Sequence, residues 1–296
     1  MLIRPTIFAA GMLTLLLGMA APDAGAAKLA GSDLLAVKCG EVLKKNAASI
    51  PDGLQLMLDG SLRGERRLRD GTADAALLIL PDKSKVPEIV KGEWEAVPIA
   101  YQTVIVVVNK FNKLEQIDLP TLAAIYGKRQ DVDIQYWSGI KESGLEMPIS
   151  AVSTRYDMGI VAPLFRSRVL GDEEYKTSIL FRHNDAAAED YVISSLNAIA
   201  ILSVPPVRED RVKTLAVYNP QKMNAYLPTA SNLYNGDYPL VVPMYFVVPR
   251  KSAAAVKPIL QEIFGDPMAG ALQESGFMPV PKNLRTNFIQ KLDKLP

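Results

Sequence analysis

One cysteine and one histidine among 296 residues leave little for metal or redox chemistry. Cys39 alone cannot close an internal disulfide, and His183 alone cannot seed a multi-histidine centre, so zinc or copper would need carboxylates to complete its shell. No metal and no cofactor is expected. A surplus of charge is lacking too. The chain sets 33 Lys and Arg against 32 Asp and Glu, a net of +1, which offers no basic excess for a phosphate backbone, so nucleic acid is a poor partner. The motifs H-E-x-x-H, G-x-S-x-G, G-x-x-x-x-G-K-[ST] and G-x-G-x-x-G are missing. Without those hydrolytic, phosphate-loop and dinucleotide signatures an enzyme is not expected, and no catalytic residue is assigned. Beyond the N-terminus no stretch reaches membrane-spanning length without charges, so no stable membrane insertion is expected.

What is present begins with Arg4 and an apolar run from Ile7 to Ala21 broken by Thr14, followed by small residues in "APDAGAAK". This reads as a secretory signal peptide, residues 1–26, cut after Ala26 or Ala27, and the periplasm is the expected destination. Behind it, "KLAGSDLLAVKCGEVLKKN" predicts a short strand, a Gly-Ser turn and a helix capped around Ser32 and Asp33. Leu35, Cys39, Val42 and Leu43 recur at helical spacing on its buried face. The next segment repeats the scheme, with a strand at 54–58, a turn at Gly60–Ser61, a short helix and a buried strand at 75–80. Strands alternating with helices predict a parallel sheet covered by helices.

Two longer segments, "AVPIAYQTVIVVVNK" and "YPLVVPMYFVVPR", are too rich in β-branched and aromatic residues for surface strands. Their prolines suit a bend or a sheet edge. They are expected to cross between two lobes. That divides the chain into 27–104 with 241–296 as the first lobe and 105–240 as the second. In the second, "IDLPTLAAIYGK" predicts a helix with Asp118 at its start, Pro120 in its first turn and Gly127 closing it. Near the C-terminus Ser252 is expected to cap a helix carrying Val256, Leu260, Ile263 and Phe264, and Asp266–Pro267 to start another that stops at Gly276.

The chemistry that these residues allow is anion binding. Gly31–Ser32 and Gly60–Ser61 each lie between a strand and a helix, where unpaired N–H groups and the positive dipole end gather. Either turn also serves as an ordinary cap. "RGERRLRD" reads as a solvated helix face, yet Arg63 falls in a first turn, where a cation needs an anion or carboxylate beside it. His183 sits in a polar "RHND" stretch and is expected at the surface or hydrogen-bonded.

The combination resembles the phosphate-binding component of bacterial ABC importers, in the type II periplasmic-binding-protein-like group. "AGSDLL" and "DGSLRG" resemble that family's two Gly-Ser turns, and "DGTADAAL" its Gly-x-x-Asp segment. The most specific stretch carries Asn109, Ile125, Gly127 and Trp137 in the family's places. "ISAVSTRYDMGIVAPLF" resembles the segment whose Arg and Ser-Gly-Thr grip the anion, which implies Arg155 and Gly159 as ligand residues beside Ser32, Asp33, Ser61 and Arg63. The resemblance implies an α/β fold of two lobes joined by two hinge strands, closing on a small oxyanion, phosphate or a relative, for delivery to an ABC permease. A monomer is expected. Leu34, Ile79 and Met158-Gly159-Ile160 depart from the family's polar pattern. They keep open a less polar small solute, or a sensory or interaction scaffold with a degenerate pocket.

Overall fold

Short apolar strands interleaved with helices build the first of two lobes. The computed structural model describes residues 25–295 apart from 48, 49, 51, 130 and 156–160. Nearly all of the expected leader, and Gly159, therefore lie outside the described residues. The chain opens with β1 (Ala27–Gly31), α1 (Lys38–Asn46), β2 (Leu54–Leu58), α2 (Ser61–Arg69), β3 (Ala75–Ile79), α3 (Pro87–Val90) and β4 (Trp94–Thr103). It continues through β5 (Ile105–Asn109), β6 (Gln116–Ile117), α4 (Leu119–Tyr126), β7 (Ser150–Thr154), α5 (Val161–Val169), β8 (Leu180–Arg182) and α6 (Asp185–Ser194). Next come β9 (Ala198–Leu202), β10 (Val212–Thr214), β11 (Ala216–Asn219), β12 (Asn224–Tyr226) and α7 (Ala230–Tyr234). The last stretch is β13 (Val241–Pro249), α8 (Ala253–Val256), α9 (Leu260–Phe264), α10 (Asp266–Glu274), β14 (Met278–Pro279) and α11 (Lys282–Asp293).

The strands form a six-stranded sheet in the order β14-β4-β13-β3-β1-β2, a five-stranded sheet β10-β5-β9-β7-β8 and a small sheet β12-β11-β6. The β2-β1-β3 trio is parallel, as strand–helix alternation requires. This is a two-lobed α/β fold. Helix α2 covers one face of the first sheet, where Leu68 joins Ala30, Ala76, Leu78 and Val247. On the other face the 3-10 turn at 33–35, α1 and α10 bring Leu35, Cys39 and Leu272 into the main core with Leu29 and Leu77.

The first valine-rich segment splits at Val104. Its front half is β4 in the first sheet and its back half is β5 in the second. The second segment, β13, is no edge strand. It lies between β3 and β4, and its register to β4 shifts between Met244 and Tyr245, beside Pro243. The proline is thus accommodated by a bulge. At the crossing, the Val104 amide donates to the Leu240 carbonyl at 3.0 Å. The Tyr238 hydroxyl donates to the Val104 carbonyl at 2.6 Å, and Thr103 Oγ1 to the Ser203 carbonyl at 3.0 Å.

In the second lobe α6 lays Ala188 and Val192 on one sheet face with Val107, Val152 and Ala200. Tyr126, Phe165 and Tyr175 form an aromatic cluster, from which the Tyr126 hydroxyl bonds the Val152 and Ile199 carbonyls. Helix α4 matches its signals: Asp118 accepts from the Thr121 amide at 2.7 Å, and Gly127 ends the helix. Asn109 and Trp137 are structural. Asn109 Nδ2 caps the Val192 and Ile193 carbonyls and Trp137 Nε1 donates to the Asn197 carbonyl.

Two helix expectations need correction. The first helix does not run from the Ser32 cap. Residues 33–35 make a single 3-10 turn, and α1 starts only at Lys38. Near the C-terminus Ser252 makes no side-chain cap bond, and the expected helix is cut into α8, a 3-10 turn and α9, with Pro258 inside the break. Proline has no N–H to continue the ladder. Helix α10 ends as expected, with Ser275 as its C-cap and Gly276 following at a φ of +79°.

Candidate functional site

The ends of β1, β2 and β3 meet in one knot of backbone. The Gly60 amide donates to the Gly31 carbonyl at 2.9 Å, and the Ser32 amide to the Leu77 carbonyl at 2.9 Å. Gly31 adopts a φ of +152°, and a Cβ there would lie 2.4 Å from the Leu77 oxygen. No other residue fits this contact. Gly64 lets α2 sit directly on the turn, since a Cβ would fall 3.2 Å from Gly31 Cα.

This knot sets Ser32 beside Ser61. Ser32 Oγ accepts from the Leu34 amide at 3.4 Å, a long capping bond, and Ser61 Oγ accepts from the Ile79 amide at 3.1 Å. Each hydroxyl is held as an acceptor. A hydroxyl also carries one hydrogen to donate, and among the described residues neither serine donates it. Ser32 is 2% exposed. Ser61 is the first residue of α2, a nine-residue helix with no acid in its first turn.

The charged candidates behave differently. Asp33 is exposed in the 3-10 turn and its carboxylate makes no ion pair or hydrogen bond among the described residues. Arg63 pairs with Asp59 at 3.6 Å, not with Asp33. Asp59 is gripped more closely by Arg67, whose two nitrogens reach its oxygens at 2.5 and 2.8 Å. Arg67 first, with Arg63 adding to it, holds the Asp59 carboxyl below the usual range. The carboxylate needed to offset Arg63 thus lies at Asp59, in the loop before α2.

Arg155 follows β7 in the second lobe. Its amide donates to the Arg182 carbonyl at 3.1 Å, extending the β7–β8 pairing, and its side chain is exposed. Its neighbour Thr154 lines a cavity of about 340 Å³ between the lobes, walled by Asp185 and Ser203 on one side and by Ser275 and Gly276 on the other. Ser32, Ser61 and Ile79 thus meet in the first lobe, while Arg155 stands in the second, next in sequence to Thr154; neither serine nor Arg155 is among the described residues that line this cavity.

Sequence reasoning missed Asp185 and Ser203. Asp185 Oδ2 accepts from the Ser203 amide at 2.7 Å, the Ser203 hydroxyl at 2.5 Å and the Val204 amide at 3.2 Å. Burial raises its pKa against those bonds. The only signal was Asn184-Asp185, which reads as a helix start, and Asn184 is indeed the cap of α6. His183 is exposed. Among the described residues no group of three or more His, Cys, Asp or Glu could hold a metal ion, and no helix is long and apolar enough to cross a membrane.

Comparison with known proteins agrees with the two-lobed fold. A family model described as a PBP superfamily domain matches residues 41–267. Protein SphX of Synechococcus elongatus is 25% identical over 241 residues, covering 79% of this chain and 71% of that protein. In fold, the chain is similar to a possible phosphate binding protein from Planctomyces limnophilus, with TM-score 0.66, 17% identity and coverage of 90% and 97% of the two chains. It is also similar to PstS from Borrelia burgdorferi, with TM-score 0.67, 14% identity and coverage of 87% and 99%. The family match spans most of the chain and both lobes: the protein belongs to the PBP superfamily.

Proposed function

We propose that this protein is a periplasmic solute receptor that captures a small oxyanion, phosphate or a close relative, between two lobes and hands it to an ABC permease. The lobes are 27–104 with 241–296, and 105–240. Ser32, Ser61 and the α2 N-terminus supply donors from the first lobe. Arg155 supplies charge from the second, with Gly159 in the segment leading to α5. Asp33 and Arg63 flank the donors. Hinge closure about Val104 and Leu240 brings the lobes onto the ligand.

The observation that carries this reading is the Gly31–Gly60 bond, which joins the two serine turns, with neither serine hydroxyl donating its hydrogen among the described residues. Similarity of fold to an ABC-type phosphate transport receptor from Vibrio cholerae, at TM-score 0.59 and 19% identity, supports an anion receptor. Among the described residues of the site no nucleophile–base pair is assembled, which favours binding over catalysis.

Native mass spectrometry of the protein as purified, followed by small-angle scattering with and without phosphate, tests the proposal. A small-anion adduct and a smaller radius of gyration with phosphate are expected. Neither adduct nor compaction, together with capture of a protein partner, would favour the scaffold reading.

A further inference from the structure

A second, larger groove of about 690 Å³ lies between the lobes. It runs along the α2 face of the first sheet, where Tyr245 and Ala96 pack beside the Leu68 cluster. Its walls come from both lobes: Pro81, Tyr101 and Pro243 from the first, and Arg168, Asn219 and Tyr234 from the second. It begins next to the serine turns. Ile79 donates to Ser61 Oγ at 3.1 Å, Leu80 donates to the Pro243 carbonyl at 3.2 Å, and Pro81 and Pro243 line the groove.

The lining has one sign of charge. Lys83, Arg168 and Lys291 reach it, and among its described residues there is no Asp or Glu. Lys291 is held by Glu95 from outside the lining at 2.5 Å. Lys83 lies over the Tyr245 ring at 5.5 Å. Arg168 makes no ion pair or hydrogen bond among the described residues, and its guanidinium is suited to bidentate capture of a carboxylate or phosphate. Tyrosines and prolines beside Lys83 and Arg168, neither of them ion-paired among the described residues, favour a ring bearing negative charge over a bare ion. The volume points the same way. An inorganic oxyanion displaces only a few waters, at about 30 Å³ each, whereas the groove falls within the roughly 300–1,000 Å³ of organic-ligand sites.

We propose that the ligand is a phosphate ester whose organic part, a ring carrying a further acidic group, lies in this groove against Tyr101 and Tyr245 with its second charge on Lys83 and Arg168. This rests on the proposed oxyanion site at the serine turns and assigns its substrate class. Isothermal titration of the ligand-stripped protein with inorganic phosphate, phenyl phosphate and 4-carboxyphenyl phosphate tests it. The expected affinity rises along that series, by at least about tenfold from the first to the last. The double variant Lys83→Met/Arg168→Met should erase the gain from the carboxylate and leave phosphate binding unchanged. Both side chains are exposed, so its melting temperature should match that of the parent. Phosphate binding at least as tightly as either ester, or a gain that survives the double substitution, would overturn this inference and leave the oxyanion site standing. Heat from none of the three would remove the oxyanion site and this inference together.

Discussion

The Gly60 amide donates to the Gly31 carbonyl at 2.9 Å, so one hydrogen bond between two glycines fixes the spacing of the two serine turns. Replacement of Gly31 should therefore damage both fold and site. A methyl at Gly31 meets the Leu77 oxygen at 2.4 Å and the Leu77 amide at 2.9 Å, backbone atoms that cannot rotate away. Overpacking of this kind costs about 1–3 kcal/mol. Gly31→Ala should lower the denaturant midpoint accordingly and abolish anion binding, whereas Gly71→Ala, at a glycine with nothing within 4 Å of its Cβ position, should weaken stability through its backbone angle and spare binding.

Tyr238→Phe tests the hinge. The phenol is buried, and its bond to the Val104 carbonyl joins the two crossing segments. Its loss should cost about 1–3 kcal/mol, because the buried carbonyl loses that donor. Urea unfolding should show a lower midpoint with an unchanged slope. No shift in the midpoint would mean that the crossing is held by the Val104–Leu240 pairing alone.

Much of the architecture was legible because it depends on local signals. The β2 strand, the turn before α2 and the Asp118-to-Gly127 helix follow from apolar patterning, glycine and capping residues. The 3-10 turn after Ser32 was not legible, because it turns on which tertiary contacts outweigh helix continuation, whereas the break at Pro258 had a local signal in the proline itself. The site was half legible. Ser32 and Ser61 stood out as turn residues, but their union through Gly31–Gly60 depends on a parallel register between strands far apart in sequence. Asp59, Arg63's partner, lies only four residues ahead of it, a spacing that the sequence does show. Asp185 and Ser203 carry no motif of their own, and their bond depends on a helix start and a strand end 18 residues apart being brought together.

Asp185 should leave a pH signature of unusual sign. Burial, with Glu189 adding to it, raises its pKa in the folded protein despite bonds from Ser203 and Val204. The folded state then keeps this proton at a pH where the unfolded chain has lost it, so this group's contribution to stability falls as pH rises from about 4. Asp185→Asn keeps an acceptor for the same donors without the charge. Its melting temperature should exceed the parent's near neutrality and converge with it toward about pH 4. A constant difference across that range would show that Asp185 titrates at its ordinary value.

Cys39 should be silent toward thiol reagents in the native protein. Burial outweighs a hydrogen bond from Ser275 and pushes the thiol up to about 11, and the residue is fully buried. At pH 8 the thiolate fraction is roughly one in a thousand even before access is considered. Labelling with a disulfide reagent should be negligible without denaturant and stoichiometric after unfolding. Rapid native labelling would show that α1 and α10 separate readily.

The most direct test of the central claim is calorimetric titration of phosphate into stripped protein, carried through the cycle of parent, Ser61→Ala, Arg155→Ala and the double variant. If one anion touches both lobes, each single substitution should weaken binding by about tenfold or more, and the double loss should differ from the sum of the single losses. Equal, additive losses would mean that the two residues do not share a ligand, and a parent protein that releases no heat with phosphate would contradict the account outright.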